Sequence, residues 1–449
     1  MLGASRAKGS NMAYRNTYNY KGGSKKVRDT RRVKRGLRIA GWTALWLFVG
    51  MLLTHLIFSV AVKTKERTGE LASEGIPPIT TRRDEINSEL TQAFWCGGDF
   101  TDSYAVDEMI SVLKRKGITE AVLDLKPESG VFAYNTGIQI ARKLGAVPEN
   151  APDLDRILVK FANAGIGVIA RISLYVDDLA ATDLKHCAVE SREVTETETD
   201  EDGNERTVTR AEKTNVIWQD KNGHSWRSPF NSDAVDYAAE IIAELAEGGV
   251  KGVLFDNIRF PTEYDGDYGD IVFPDEEAAE LPRAGAVRQN VAALHAAAQS
   301  AGVKLYVAID AVYCCGAQDA RAGITFNAFD ISADVVCPVM LISKLEADGV
   351  TAINTYPFDT AADADLNGLL AAFTAGVKMM QGAIDEPPAV EPIIQAYSDS
   401  ARHFELTAED VKKELTALDK ALINGRIIYG PRDELDRLVA DAASGETAE

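Results

Sequence analysis

The stretch GVLFDNIRFP, Gly252–Pro261, sets an apolar run against a polar Asp-Asn-Ile-Arg and then a Phe-Pro stop. VKGVLF is rich in Val, Leu and Phe and follows the pair Gly248-Gly249, so it reads as a short buried strand. A strand apolar throughout is one covered on both faces, as parallel strands beneath helices are. Asp256 and Arg259 fall where the strand runs out. The carboxyl ends of parallel strands are where ligands and chemistry gather, so Asp256 is either such a residue or an ordinary loop acid.

Outward from this strand, the same alternation recurs. AFWC (93–96), EAVLDL (120–125) and GVIARI (167–172) read as three strands before it. KLYVAID (304–310), DVVCPVML (334–341), PIIQAY (392–397) and RIIY (426–429) read as four after it. Helical patterns fall near 104–116, 153–164, 232–249, 284–300, 407–423 and 432–443. Strands alternating with helices predict a (β/α)8 TIM barrel over 91–443. The rival, an open doubly wound sheet, lacks a G-x-G-x-x-G after its first strand. Two insertions interrupt the pattern. Residues 189–213 are charged and Thr-rich and predict a short solvated hairpin or a disordered loop. Residues 262–282 form a long acidic loop after Asp256, on the side where barrels build clefts.

The chain has 449 residues, enough for a barrel and extra segments. Residues 1–38 carry twelve Lys and Arg against the single acid Asp29, and that +11 leaves −31 for the rest of a chain whose net charge is −20. So acidic a body repels nucleic acid, which is excluded as a partner. Ile39–Val62 contains 24 residues without Lys, Arg, Asp or Glu. This length spans a bilayer core of ~30 Å and predicts a single uncleaved transmembrane helix. The basic residues before it predict a cytoplasmic tail (1–38) and an outward-facing body at the cell membrane. A polar linker (63–90) and a disordered tail (444–449) complete the expected organisation.

The five cysteines, Cys96, Cys187, Cys314, Cys315 and Cys337, include no C-x-x-C. Adjacent Cys314 and Cys315 are expected not to bond to each other, while one of them could pair with Cys96 or Cys187. The five histidines, His55, His186, His224, His295 and His403, end none of the expected strands, so no metal set is read, and no cofactor motif is legible. The loop WQDKNGHSW (218–226) carries two Trp that could stack on sugar faces or simply pack the loop down.

Strand ends give the candidate site: Trp95, Asp124, Arg171, Asp256, Asp310, Gln395, Tyr397 and Tyr429. Asp256 and Asp310 end neighbouring strands, and two carboxylates sharing a cleft are what glycoside hydrolysis requires. One stays ionised toward the sugar, and the other is held neutral to protonate the leaving oxygen. A purely structural network in which Arg171 and Arg259 neutralise both acids is the alternative.

Residues 91–430 resemble a bacterial family of barrels labelled as glycosyl hydrolases and distantly related to alpha-amylase-like barrels. The resemblance rests on AVLDLKPESG (121–130), IGVIARISLYVDDLAA (166–181), KLYVAIDAV (304–312) and above all WRSPFNSDAVDYAAEIIAELAEGGVKGVLFDNIRFP (226–261). In the last, Trp226, Pro229, Phe230, Asn231, Phe255, Asp256, Ile258, Arg259, Phe260 and Pro261 match, while Ser228 and Asn257 stand for the usual Asp and Tyr. PVMLISKL (338–345) stands where the family has an aromatic- and His-bearing run. The resemblance implies Asp256 as nucleophile and Asp310 as acid/base. Asp124, Arg171 and Arg259 would orient them, with Arg259 holding Asp256 ionised, and Trp95, Tyr175, Trp226, Gln395 and Tyr397 would contact the glycan. The expected function is a membrane-anchored glycoside hydrolase acting on a cell-envelope or extracellular polysaccharide. A non-catalytic glycan-binding barrel and a structural envelope protein remain alternatives.

Overall fold

The computed structural model describes residues 91–97, 103–199, 205–266, 271–423 and 425–441. The expectations for 1–38, 39–62, 63–90 and 444–449 lie outside them. Among the described residues no helix is long and apolar enough to cross a membrane.

Eight parallel strands close on themselves: Thr91–Trp95, Glu120–Lys126, Gly167–Ser173, Gly252–Asp256, Lys304–Asp310, Val335–Met340, Ile393–Gln395 and Gly425–Tyr429. Each pairs with its neighbour in chain order, and the last returns to the first through Thr91↔Gly425 to Trp95↔Tyr429. This is the (β/α)8 barrel expected from the alternation.

Strand parity fills the barrel. Ala93, Val122, Ile169, Leu254, Tyr306, Cys337, Ile393 and Ile427 point inward and pack together. Their neighbours Phe94, Leu123, Ala170, Val253, Val307, Ile394 and Ile428 point outward under the helices. Side chains alternate along a strand, so the next inward positions are Trp95, Asp124, Arg171, Asp256 and Tyr429, with Asp310 above Ala308. The mouth is thus assembled from the residues that continue the inward rows.

The helices Ser103–Lys116, Leu154–Asn163, Asp233–Glu247, Arg283–Ala301, Leu366–Gly382, Ala408–Lys420 and Arg432–Leu438 surround the barrel. Two departures from the sequence pattern occur. The crossover between the fifth and sixth strands carries only the short helix Ala311–Cys314, and the next carries the unforeseen helix Leu366–Gly382. The 189–213 insertion is a long antiparallel hairpin with strands Val189–Thr199 and Glu205–Ile217, of 11 and 13 residues. Its base also pairs with Ile271–Val272 of the acidic loop.

All five cysteines are buried and free. The possible pairing of Cys314 or Cys315 with Cys96 or Cys187 is therefore not formed. Cys314 Sγ faces the Ile309 carbonyl and Cys315 Sγ that of Phe373, so both thiols are packed under helices.

Candidate active site

Two guanidinium-centred clusters face a cleft of about 400 Å³ at the carboxyl end of the barrel. The first is built on Arg171, only 3% exposed, from the third strand. Its Nη1 donates to Asp124 Oδ1 at 3.1 Å and its Nη2 to Asp256 Oδ2 at 2.8 Å. Both nitrogens also donate to the Glu128 carboxylate. Asp124 is the register partner of Arg171 across the second and third strands, and Asp256 reaches it from the fourth. Arg171 also lies over the Trp95 ring, 5.4 Å from its centroid, and Trp95 meets Tyr429 edge-on.

The local chain explains how Asp256 is aimed. The strand ends there because Asn257 enters the left-handed region at φ 54°, a conformation Asn tolerates better than most residues. The Asn257 N–H then donates to Asp256 Oδ1 at 2.8 Å, and its side-chain amide donates to Glu128 Oε1 and Ser173 Oγ. In the segment DLKPESG, Asp124 and Glu128 serve Arg171, while Lys126 is buried and paired with Asp177 at 2.7 Å. Gly130 takes φ +76° against Asp177, where a Cβ would lie 2.2 Å from Oδ1.

The second cluster is built on Arg259. Its Nε donates to Asp310 Oδ2 at 3.2 Å, and its fork holds Asp265 from the acidic loop. Lys344 Nζ donates to the other oxygen, Asp310 Oδ1, at 3.2 Å and also pairs with Asp348. Gln395 Oε1 accepts from the Ser343 N–H at 2.9 Å and so fixes the short helix Ile342–Ala347 that presents Lys344.

Electrostatics divide these acids. Burial alone would raise Glu128, but the Arg171 charge outweighs it and holds the carboxyl down at about 2. Burial would likewise raise Asp310, but Lys344 and then Arg259 bring it to about 2. Asp124 goes the other way: burial raises it, and its share of Arg171 does not compensate.

Several expectations change. Arg259 does not hold Asp256; Arg171 does, because Arg171 is an inward neighbour of that strand end whereas Arg259 follows the Asn257 turn toward the fifth strand. Asp310 stands where expected, but its two cations fix it as an anion, which opposes a proton-donor role. Tyr175 is 1% exposed, its hydroxyl accepting from Asn290, so it is a core residue. Gln395 is fully buried, and the Tyr397 hydroxyl meets Ser343, so both support the wall. Trp226 borders the cleft but is 1% exposed and lies under Arg259, 5.3 Å from its ring centroid, so its loop is anchored by packing. Trp95, Asp124, Arg171, Asp256, Arg259 and Asp310 do come together around the cleft. Sequence reasoning missed Glu128 and Lys344. Glu128 lies within AVLDLKPESG (121–130), and Lys344 within the run PVMLISKL (338–345) that departs from the family pattern.

The closed barrel carries Asp256 and Asp310 at its mouth, each on an arginine as the structural alternative has it, and both acids line the open cleft. Residues 94–434 match the family model described as "Putative glycosyl hydrolase domain", and the chain belongs to that family. Among solved structures, it is similar to the PgaB (BpsB) glycoside hydrolase domain from Bordetella bronchiseptica, with 14% identity over 78% of this chain and 99% of that one and a TM-score of 0.50. That likeness shows the fold. A hypothetical protein from Ruminiclostridium thermocellum is 22% identical over 52% of this chain and 100% of that one, with a TM-score of 0.37. A comparison with curated proteins finds no match.

Proposed function

We propose that the protein is a glycoside hydrolase that cleaves a cell-envelope or extracellular polysaccharide, with Asp256 as its catalytic carboxylate. The observation that carries this is the placement of Asp256. It ends the fourth strand at the cleft, is 24% exposed, and is held by Arg171 on one oxygen and by the Asn257 N–H on the other. A carboxylate so oriented can attack an anomeric carbon at the site where charge develops. Retention follows if a glycosyl ester forms on Asp256 and water then hydrolyses it. Arg259, Lys344 and Asp310 make up the opposite wall and would position the glycan.

The uncharged stretch Ile39–Val62 and the basic residues before it support an anchor that leaves the barrel outside the cell. The acidic body supports a glycan rather than a nucleic acid as its substrate. The test is release of reducing ends from purified envelope polysaccharide by the wild-type barrel. Release supports the reading, and binding without release supports a glycan-binding module in its place.

A further inference from the structure

The Arg171 cluster holds one guanidinium against three carboxylates, Asp124, Glu128 and Asp256. One positive charge cannot balance three negative ones in a partly desolvated mouth, so one carboxyl binds a proton most readily. Glu128 is excluded, since both Nη atoms and the Asn257 amide hold it ionised. Asp256 receives the Asn257 N–H as well as Arg171. Asp124 has a single bond to Arg171 at 3.1 Å and is the least exposed of the three at 19%. Its surroundings are Arg171 on the third strand, Glu128 on its own loop, Asp256 on the fourth strand and Tyr429 on the eighth, so beyond Arg171 its charged neighbours are acids. Asp310, the other candidate donor, has a cation on each oxygen.

Geometry brings Asp124 and Asp256 together. The two Nη atoms of one planar guanidinium sit about 2.3 Å apart. With contacts of 3.1 and 2.8 Å, the bonded Asp124 and Asp256 oxygens are at most about 8 Å apart, a bound that admits the ~5–5.5 Å between the carboxyl groups of retaining glycosidases. We infer that Asp124 is the general acid of the site and works with Asp256 across the shared Arg171, while Asp310 serves as a fixed anion of the opposite wall. This assignment rests on the hydrolase reading.

The steps balance. An Asp256 oxygen bonds to the anomeric carbon as the glycosidic C–O bond breaks, and the Asp124 proton passes to the leaving oxygen. Water then attacks the glycosyl ester and gives its proton to Asp124, which restores both groups and releases the sugar.

The test compares wild type, Asp124→Asn and Asp310→Asn on phenyl and 2,4-dinitrophenyl glycosides of glucose, galactose and N-acetylglucosamine in both anomers. A dinitrophenolate leaves without protonation, whereas a phenolate benefits from it. The dinitrophenyl-to-phenyl rate ratio should rise about 10²–10⁴-fold in Asp124→Asn and stay near wild type in Asp310→Asn. A rise in Asp310→Asn alone would overturn the assignment. A second readout needs no turnover: the wild-type-minus-variant infrared difference spectrum at mildly acidic pH should show a protonated-carboxyl band for Asp124→Asn and none for Asp310→Asn, the buried carboxyls Glu391 and Glu414 cancelling in both. The reverse result would also overturn it. A wild type that cleaves no glycoside in this panel and releases nothing from polysaccharide removes the hydrolase reading and the acid role with it, a failure distinct from a misplaced proton in an active enzyme.

Discussion

Lys344 Nζ and Asp310 Oδ1 lie 3.2 Å apart, and Arg259 Nε lies 3.2 Å from the other oxygen of the same carboxylate. A carboxyl between two cations is a fixed charge. Its protonation has a cost, and stability inherits a pH dependence. Asp310 is depressed from 3.8 to about 2, so its contribution is fully present above about pH 4 and is lost as pH falls toward 2. By linkage this is worth about 2 kcal/mol. Lys344→Met should shrink the difference in denaturant stability between pH 7 and pH 3, and an unchanged difference would show that Arg259 alone sets the charge.

Lys126 and Asp177 form an ion pair with side-chain exposures of 2% and 1%. Removing one partner strands a buried charge, so Lys126→Met should cost about 3 kcal/mol in denaturant unfolding. The double variant Lys126→Met/Asp177→Leu should recover part of that loss, because neither charge is then left unpaired.

Much of this architecture was legible before the structure. The fifth strand was bounded correctly at Lys304–Asp310 because its interior is apolar and buried on both sides. Asp124, Asp256 and Asp310 could be found because each stands at the carboxyl end of an apolar strand, whereas Glu128 lies on the loop beyond the second strand. The helix Leu366–Gly382 was missed because it carries Gly368, Gly376 and Gly382, which read as breakers. Gly376 is tolerated there because Cys315 packs against it; a Cβ would lie 2.8 Å from the sulfur. The exchange of arginine partners was not legible. It depends on the left-handed turn at Asn257, and on Lys344 arriving from a short helix held by Gln395. No periodicity in the sequence reports such tertiary pairings.

Burial raises the thiols of the five free cysteines, Cys187 to about 11 and Cys315 to about 12. Thiolate is the reactive form, so all five should resist a thiol reagent in the native protein and titrate together on unfolding. A non-reduced peptide map should contain no disulfide, and a Cys314–Cys315 link would contradict the packing described.

The central claim is that Asp256 performs chemistry, and one substitution addresses it most directly. Asp256→Asn keeps the shape of the side chain and removes its charge. On the polysaccharide that wild type cleaves, the account predicts a loss of turnover of about a thousandfold or more, with glycan binding retained. Reducing-end release and binding, measured on the same preparation, decide the matter. Asp256→Asn that cleaves at the wild-type rate would contradict the account.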